Sequence, residues 1–192
     1  MNMARIAAAK ETILTGERLT LRPLVPSDAT DRYARWMNDS RINQYLESRF
    51  SDHSVADLRR FIEAMMISER DFIFAMETPE EGHIGNIKLG GIDWFHRYGD
   101  IGLLIGEESA WGKGYATEAI SLVTQFGFEV LDLHKITAGC YATNIGSEKA
   151  FLRAGWDREG VRRSHYKSDA GYVDAVMLAI WNPEENSDSA EN

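Results

Sequence analysis

Apolar positions alternate with polar ones in some stretches and recur every three or four residues in others. The changes of period mark the elements. Arg18-Leu19-Thr20-Leu21-Arg22-Pro23-Leu24 alternates, which predicts a strand that Pro23 ends or places at an edge. Ser27-Asp28 then offers a cap for a helix with Ala29, Tyr33, Trp36 and Met37 on one face. Asn38 to Phe50 reads as irregular or short helix. After a second cap at Ser54, Leu58, Phe61, Ile62, Met65 and Met66 fall at helical spacing and read as core. Asp71 to Met76 and His83 to Gly90 read as a hairpin across the turn Thr78 to Gly82, with a break or bulge at Gly90-Gly91. A polar, aromatic connection, Ile92 to Gly99, leads into a strand from Asp100 to Gly106.

Beyond that strand lies the loop Trp111-Gly112-Lys113-Gly114-Tyr115-Ala116, then a helical pattern from Thr117 to about Leu131 and a strand from Ile136 to Thr143. Strand, helix and strand in this order predict a right-handed crossover, with strands 100–106 and 136–143 as parallel neighbours. Asn144 caps a short helix that Gly155 ends. Val161 to Lys167 and Tyr172 to Ile180 form a hairpin around Asp169-Ala170-Gly171. Residues 1–14 read as an N-terminal extension, 15–182 as one domain and 183–192 as an acidic, disordered tail.

The 192 residues are enough for one domain with a sizeable core, and 44% hydrophobic with 27% charged residues is a globular balance. No apolar run approaches the ~20 residues of a membrane span. The formal net charge of −9 disfavours nucleic-acid binding and would help attract a cationic amine. A single cysteine, Cys140, excludes an internal disulfide, fits a reducing cytoplasm, and reads as a buried structural thiol. No Cys/His spacing suggests a metal site.

The glycine loop carries the chemistry. Gly112, Gly114 and small Ala116 allow a tight turn and close ligand approach. The helix they open has unpartnered N–H groups that suit a phosphate, and Lys113 stands beside them. Two nucleotide motifs fail here. Five residues rather than four separate Gly106 from Gly112-Lys113, and Thr117 occupies the third small-residue position of a dinucleotide fingerprint.

Trp111 to Ala116 resembles the pyrophosphate loop of the GNAT acyltransferases, Gln/Arg-x-x-Gly-x-Gly/Ala, with Trp111 in place of Gln or Arg. With Tyr115-Ala116-Thr117-Glu118-Ala119 it resembles the RimJ/RimL branch, which acetylates N-terminal amines. Asn144-Ile145-Gly146-Ser147 through Phe151 to Gly155-Trp156 resembles a second GNAT segment. The resemblance implies an α/β (α+β) fold: a single GNAT-type domain whose mixed, mostly antiparallel sheet has one splayed parallel pair and helices on both faces. It implies acetyl-CoA as cosubstrate. The diphosphate would lie on residues 112 to 117, the pantetheine would pair with the strand edge at Leu104, Ile105 and Gly106, and the helix carrying Phe151 and Arg153 would flank the adenine end or the pantetheine.

Acetyl transfer needs a neutral amine, a polarised carbonyl and a protonated leaving thiolate. Many GNAT enzymes have a tyrosine seven residues after the asparagine as thiolate acid; here Phe151 stands there. By resemblance to RimL-like proteins, Ser147 takes that role and Asn144 orders the amine, a water or the cosubstrate. The base is open between Asp93, His96, Glu47, His165 and Tyr141. His134 reads as a helix C-terminal partner. Tyr45, Glu47 and Arg49 would face the acceptor. The acceptor is a protein N-terminus or a small amine such as an amino sugar nucleotide, whose diphosphate Arg97, Lys88 and Arg49 could meet. The protein would act as monomer or homodimer, and a non-catalytic acyl-CoA-binding module remains the alternative.

Overall fold

Eight strands form one sheet: β1 (Leu14–Thr15), β2 (Thr20–Pro23), β3 (Phe72–Thr78), β4 (Gly82–Asp93), β5 (Tyr98–Ile105), β6 (Lys135–Tyr141), β7 (Asp157–Ser168) and β8 (Gly171–Trp181). The computed structural model describes residues 3–168 and 171–186. The strands lie in the order β1-β2-β3-β4-β5-β6-β8-β7, and every neighbouring pair is antiparallel except β5 with β6. The helices are α1 (Met3–Lys10), α2 (Asp31–Asn38), α3 (Ser40–Asn43), α4 (Val55–Ile67), α5 (Tyr115–Glu129), α6 (Ile145–Arg153) and α7 (Pro183–Asn186).

Helices cover both faces, and the period-two alternation of the strands sorts side chains between them. Ile101, Ile136, Ala138, Val176 and Leu178 point to one face and pack with Ala119, Ile120, Val123 and Phe126 of α5. Ala75 points to the other and packs with Tyr33, Trp36, Leu58 and Ile62 of α2 and α4, against which Leu104 rests. The crossover through α5 makes β5 and β6 parallel, as the strand–helix–strand order predicts. Their pairing is short: Tyr98↔Lys135, Gly99↔Ile136 and Asp100↔Thr137. Beyond it the two strands part, yet each stays paired on its outer side, β5 to β4 through Ile105 and β6 to β8 through Tyr141. A slot held open from both flanks results.

Several local expectations are corrected. Residues 3–10 are a docked helix rather than a bare extension: Ile6 and Ala9 are buried in the main core, and the Lys10 ammonium donates to the carbonyls of Met65 (2.6 Å) and Asp71. Thr30, not Ser27-Asp28, caps α2, accepting from the Tyr33 N–H. Asp28 is held instead by the Val25 N–H and by Arg22, which also reaches Glu77. On α4 only Leu58 and Ile62 are buried, and Phe61 and Met66 face solvent. Of the break or bulge expected at Gly90-Gly91, the bulge forms, within a continuous β4. Residues 183–186, expected in the tail, form α7, and Glu185 there pairs with Arg97 (2.5 Å) and His134 (2.7 Å). The rest of that tail, 187–192, and Asp169-Ala170 lie outside the described residues. Among the described residues no helix is long and apolar enough to cross a membrane.

Candidate active site

The slot between β5 and β6 opens beside the glycine loop. The Gly106 N–H donates to the Ile84 carbonyl (2.8 Å). A β-carbon on Gly106 would lie 2.1 Å from the Trp36 ring, so glycine is what lets α2 seat its tryptophan there. Because 106 pairs with 84, the alternation of an antiparallel ladder turns Leu104 and Gly102 toward β4. The same alternation turns the backbone N–H and C=O of Leu103 and Ile105 into the slot. The Ile105 carbonyl accepts from the Trp111 indole N–H (2.9 Å). The strand-edge groups expected at Leu104 to Gly106 are therefore those of Leu103 and Ile105.

Gly112 (φ 72°) and Gly114 (φ 86°) both adopt the left-handed region, and Gly114 is the N-cap of α5. The first helical bond runs from the Glu118 N–H to the Gly114 carbonyl (3.2 Å). The N–H groups of Tyr115, Ala116 and Thr117 therefore emerge at the helix end without a partner in the helix. Successive amides in such a turn form an anion-binding concavity.

A cleft of about 540 Å³ runs along this loop into the slot. Leu104, Ile105, Trp111, Gly112, Gly114, Tyr115, Ala116 and Thr117 line it from one side, and Asn144, Ser147, Phe151 and Arg153 from the other. Gly106 and Lys113 do not. Gly106 is buried under Trp36, and the Lys113 ammonium turns away to Glu81 (3.1 Å), a bond that raises its pKa. Lys149, which the sequence did not single out, joins Arg153 on α6 as a further cation along the cleft.

Asn144 acts as helix cap: its Oδ1 accepts the Ser147 N–H (3.2 Å). Ser147 and Cys140 border the same cleft. Burial pushes the Cys140 thiol up to about 11, with Glu148 adding to the effect and Arg158 and Ser147 opposing it. Cys140 borders the cleft, yet it is a poor nucleophile, since the thiolate is the reactive form. Iodoacetamide at pH 8 should leave the folded protein unlabelled and label it only after denaturation, as read by mass spectrometry.

On the opposite face of the sheet, Glu47, Arg49 and Tyr141 form a network. The Tyr141 hydroxyl donates to Glu47 (2.7 Å) and accepts from Arg49 (2.7 Å), whose other nitrogen donates to the Lys167 carbonyl (2.7 Å). Tyr45 donates to the Thr143 carbonyl (3.1 Å), and Tyr166 stacks on Tyr141 at 4.1 Å. Burial raises the Tyr141 pKa, and its bond to Glu47 adds to this.

A second cleft, of about 570 Å³, adjoins the first at Gly139 and is bordered by Asp100, Thr137, Glu159, Arg162 and Tyr166. Asp100 stands where β5 and β6 part. Solvent reaches it, but the surrounding strands desolvate its carboxyl and raise its pKa against the opposing Thr137 hydroxyl (3.0 Å), Lys88 and Arg162. In the sequence Asp100 reads as the first residue of an apolar strand.

Of the five base candidates, Asp93 borders neither cleft, and His96 borders the second, as Asp100 does. Asp93 and His96 sit in the β4–β5 turn, at the far end of β5 from the loop, about 23 Å along an eight-residue strand. The Asp93 carboxylate accepts the N–H groups of Phe95 (2.9 Å) and His96 (2.8 Å), which closes the turn. His165 is exposed on β7 and borders neither cleft.

Residues 18–157 match the acetyltransferase (GNAT) domain family. The chain is 30% identical over 175 residues to the uncharacterized N-acetyltransferase YoaA of Bacillus subtilis (strain 168), covering 90% of this chain and 98% of that one. Its fold is similar to Mycobacterium smegmatis RimJ in complex with CoA-disulfide, at TM-score 0.79 and 20% identity, covering 92% of this chain and 90% of that one. It is also similar to spermidine N-acetyltransferase from Vibrio cholerae in complex with CoA and spermine, at TM-score 0.77 and 23% identity over 86% and 96% of the chains. The match over most of the chain, together with a split parallel strand pair beside a glycine-capped helix, places this chain in the GNAT acetyltransferase family.

Proposed function

We propose that the protein transfers an acetyl group from acetyl-CoA to a primary amine that reaches the slot as a cation. The observation that carries this reading is the β5–β6 slot. It puts strand-edge amides and an anion-receiving loop on one side of the sheet and two carboxylates, Glu47 and Asp100, on the other. The fit to the donor is specific. The amides of residues 115–117 suit a diphosphate, Lys149 and Arg153 add positive charge at the open end, and the groups of Leu103 and Ile105 suit an amide-bearing pantetheine arm.

Acetyl-CoA supplies an activated thioester, and this chain supplies the proton handling and orientation. The Leu103 or Ile105 N–H polarises the thioester carbonyl. Asp100 takes the proton of the incoming amine through water, a role for which a carboxyl with a raised pKa is better suited than an ordinary one. Ser147 relays to the departing sulfur the second proton, which the attacking nitrogen sheds as the C–S bond breaks, and Asn144 orients the helix that carries Ser147.

The nucleotide-bearing acceptor loses its support. Arg49 is committed to Tyr141 and the Lys167 carbonyl, Arg97 to Asp132 and Glu185, and Lys88 lies beside Asp71. Two acceptors stand: a polyamine, as the name of the V. cholerae protein suggests, and a protein N-terminus, as the RimJ/RimL resemblance implies. Carboxylates at the acceptor side favour the polyamine, which carries more than one positive charge.

The test is thiol release from acetyl-CoA with spermidine, short peptides and an amino sugar nucleotide as acceptors. Turnover with spermidine is the expected result. Acetyl-CoA binding without thiol release for any amine would instead support a binding module. Ser147→Ala should lower kcat about a hundredfold while acetyl-CoA affinity stays within about twofold; an unchanged kcat removes Ser147 from the mechanism.

A further inference from the structure

We infer that Arg18 and Glu118 form a brace that holds the glycine loop in its anion-receiving shape, making Arg18 a positioning residue for the donor diphosphate; this rests on the acetyl-CoA reading above. Arg18 reaches the loop from the start of the domain, one hundred positions away in sequence from Glu118. Its backbone N–H donates to Glu118 Oε1 (2.8 Å), its Nε to Glu118 Oε2 (2.8 Å), and its Nη1 to the Lys113 carbonyl (2.7 Å). The guanidinium also lies 5.6 Å from the centre of the Tyr115 ring.

Two consequences follow from this geometry. Glu118 sits in the first turn of α5, where its negative charge would work against an anion at the helix end. Burial alone would raise its pKa, but the hydrogen bonds and charge of Arg18, with a further bond from the Leu19 N–H, together outweigh burial and hold the carboxyl below its usual range. Glu118 is therefore charged at neutral pH, and Arg18 neutralises that charge with bonds to both oxygens. The second consequence concerns the Lys113–Gly114 peptide. In a planar trans peptide the C=O and the following N–H point in opposite directions. With the Lys113 carbonyl drawn to Arg18, the Gly114 N–H is turned away from Arg18. Gly114 lines the cleft and Arg18 does not, so that N–H joins the donors facing the ligand. One side chain thus removes a repelling charge and aims an attracting dipole.

Calorimetric titration with acetyl-CoA, combined with kcat/KM for acetyl-CoA and for S-acetyl-pantetheine, tests this. The second donor keeps the thioester but lacks the diphosphate. Arg18→Ala should weaken acetyl-CoA binding by about tenfold or more, as expected for lost charge-assisted hydrogen bonds. The preference for acetyl-CoA over acetyl-pantetheine should shrink by a similar factor. Adding Glu118→Gln to Arg18→Ala should restore part of the affinity, because the unneutralised charge is gone. Arg18→Lys, which keeps the charge but not the fork, should fall between wild type and Arg18→Ala, with thermal melting confirming the fold. Unchanged acetyl-CoA affinity in Arg18→Ala, equal losses with both donors, or no recovery in the double variant each overturn the brace. A wild-type protein that binds neither donor would instead refute the acetyl-CoA reading itself.

Discussion

Gly114→Val should lose acetyl-CoA binding by about a hundredfold or more while the rest of the fold survives. Gly114 has φ 86°, where a β-branched residue is strained by about 1–3 kcal/mol. A β-carbon there would also approach the Arg18 guanidinium to 3.3 Å, pushing on the group that holds the Lys113 carbonyl. Relief comes by rotating the loop peptides, which scatters the amides that converge on the anion. The strain falls in a solvent-facing loop, and each kcal/mol should lower Tm by only about 2–4 °C in a domain of this size. Calorimetric titration beside a melting curve separates the effects. Binding retained at wild-type affinity would remove the loop from the donor site.

Asp100→Asn should lower kcat/KM about a hundredfold or more with acetyl-CoA affinity little changed. The pH profile is the sharper readout. A base works in its deprotonated form, so activity should rise with pH through a pKa above the usual carboxylate range, and Asp100→Asn should lose that limb. Stability should respond in the opposite sense. A carboxyl whose pKa is higher in the folded than in the unfolded chain binds more protons when folded. Its contribution is therefore best at low pH and declines as pH rises through the window between the two values. Near neutral pH, Asp100→Asn should melt at or above the wild-type temperature. A variant both slower and less stable would point to damaged packing instead of a lost base.

The contrast between Asp100 and Asp93 shows where the sequence was legible. Periodicity located the strands around residues 72, 83, 100, 136 and 172, and the crossover rule made β5 and β6 parallel. The glycine spacing marked the loop, because few residues tolerate a left-handed backbone before a helix. Asp93 and His96 read in the sequence as titratable groups in a loop. In the fold Asp93 closes the turn into β5 and borders neither cleft, and His96 borders the second cleft from that turn. Asp100 was hidden by its neighbours: one acid at the head of Ile101-Gly102-Leu103-Leu104-Ile105 reads as a strand boundary. Its meaning depends on the pairing with Thr137 ending there, a tertiary fact with no local pattern.

Arg18 and α1 were missed for related reasons. An arginine in an alternating strand reads as a solvent-side residue until its partner one hundred positions on is known. Met3–Lys10 has small alanines and a single Ile6, so its buried face gives a weak helical signal. The Thr30 cap is not distinguishable in the sequence from Ser27-Asp28, which has the same chemistry, and what decides between them is that Arg22 and the Val25 N–H claim Asp28.

The place of β8 between β6 and β7 bears on how the protein is made. The wall of the slot formed by β6 takes seven pairs from β8 but only three from β5. On a ribosome, every residue named for the chemistry emerges before Gly171–Trp181 does. Until that strand threads in, β6 has little to hold it, so the donor loop can be finished while the acceptor side still lacks its scaffold. A fragment ending before Gly171 should therefore be a substrate for chaperones and proteases, not a slower enzyme.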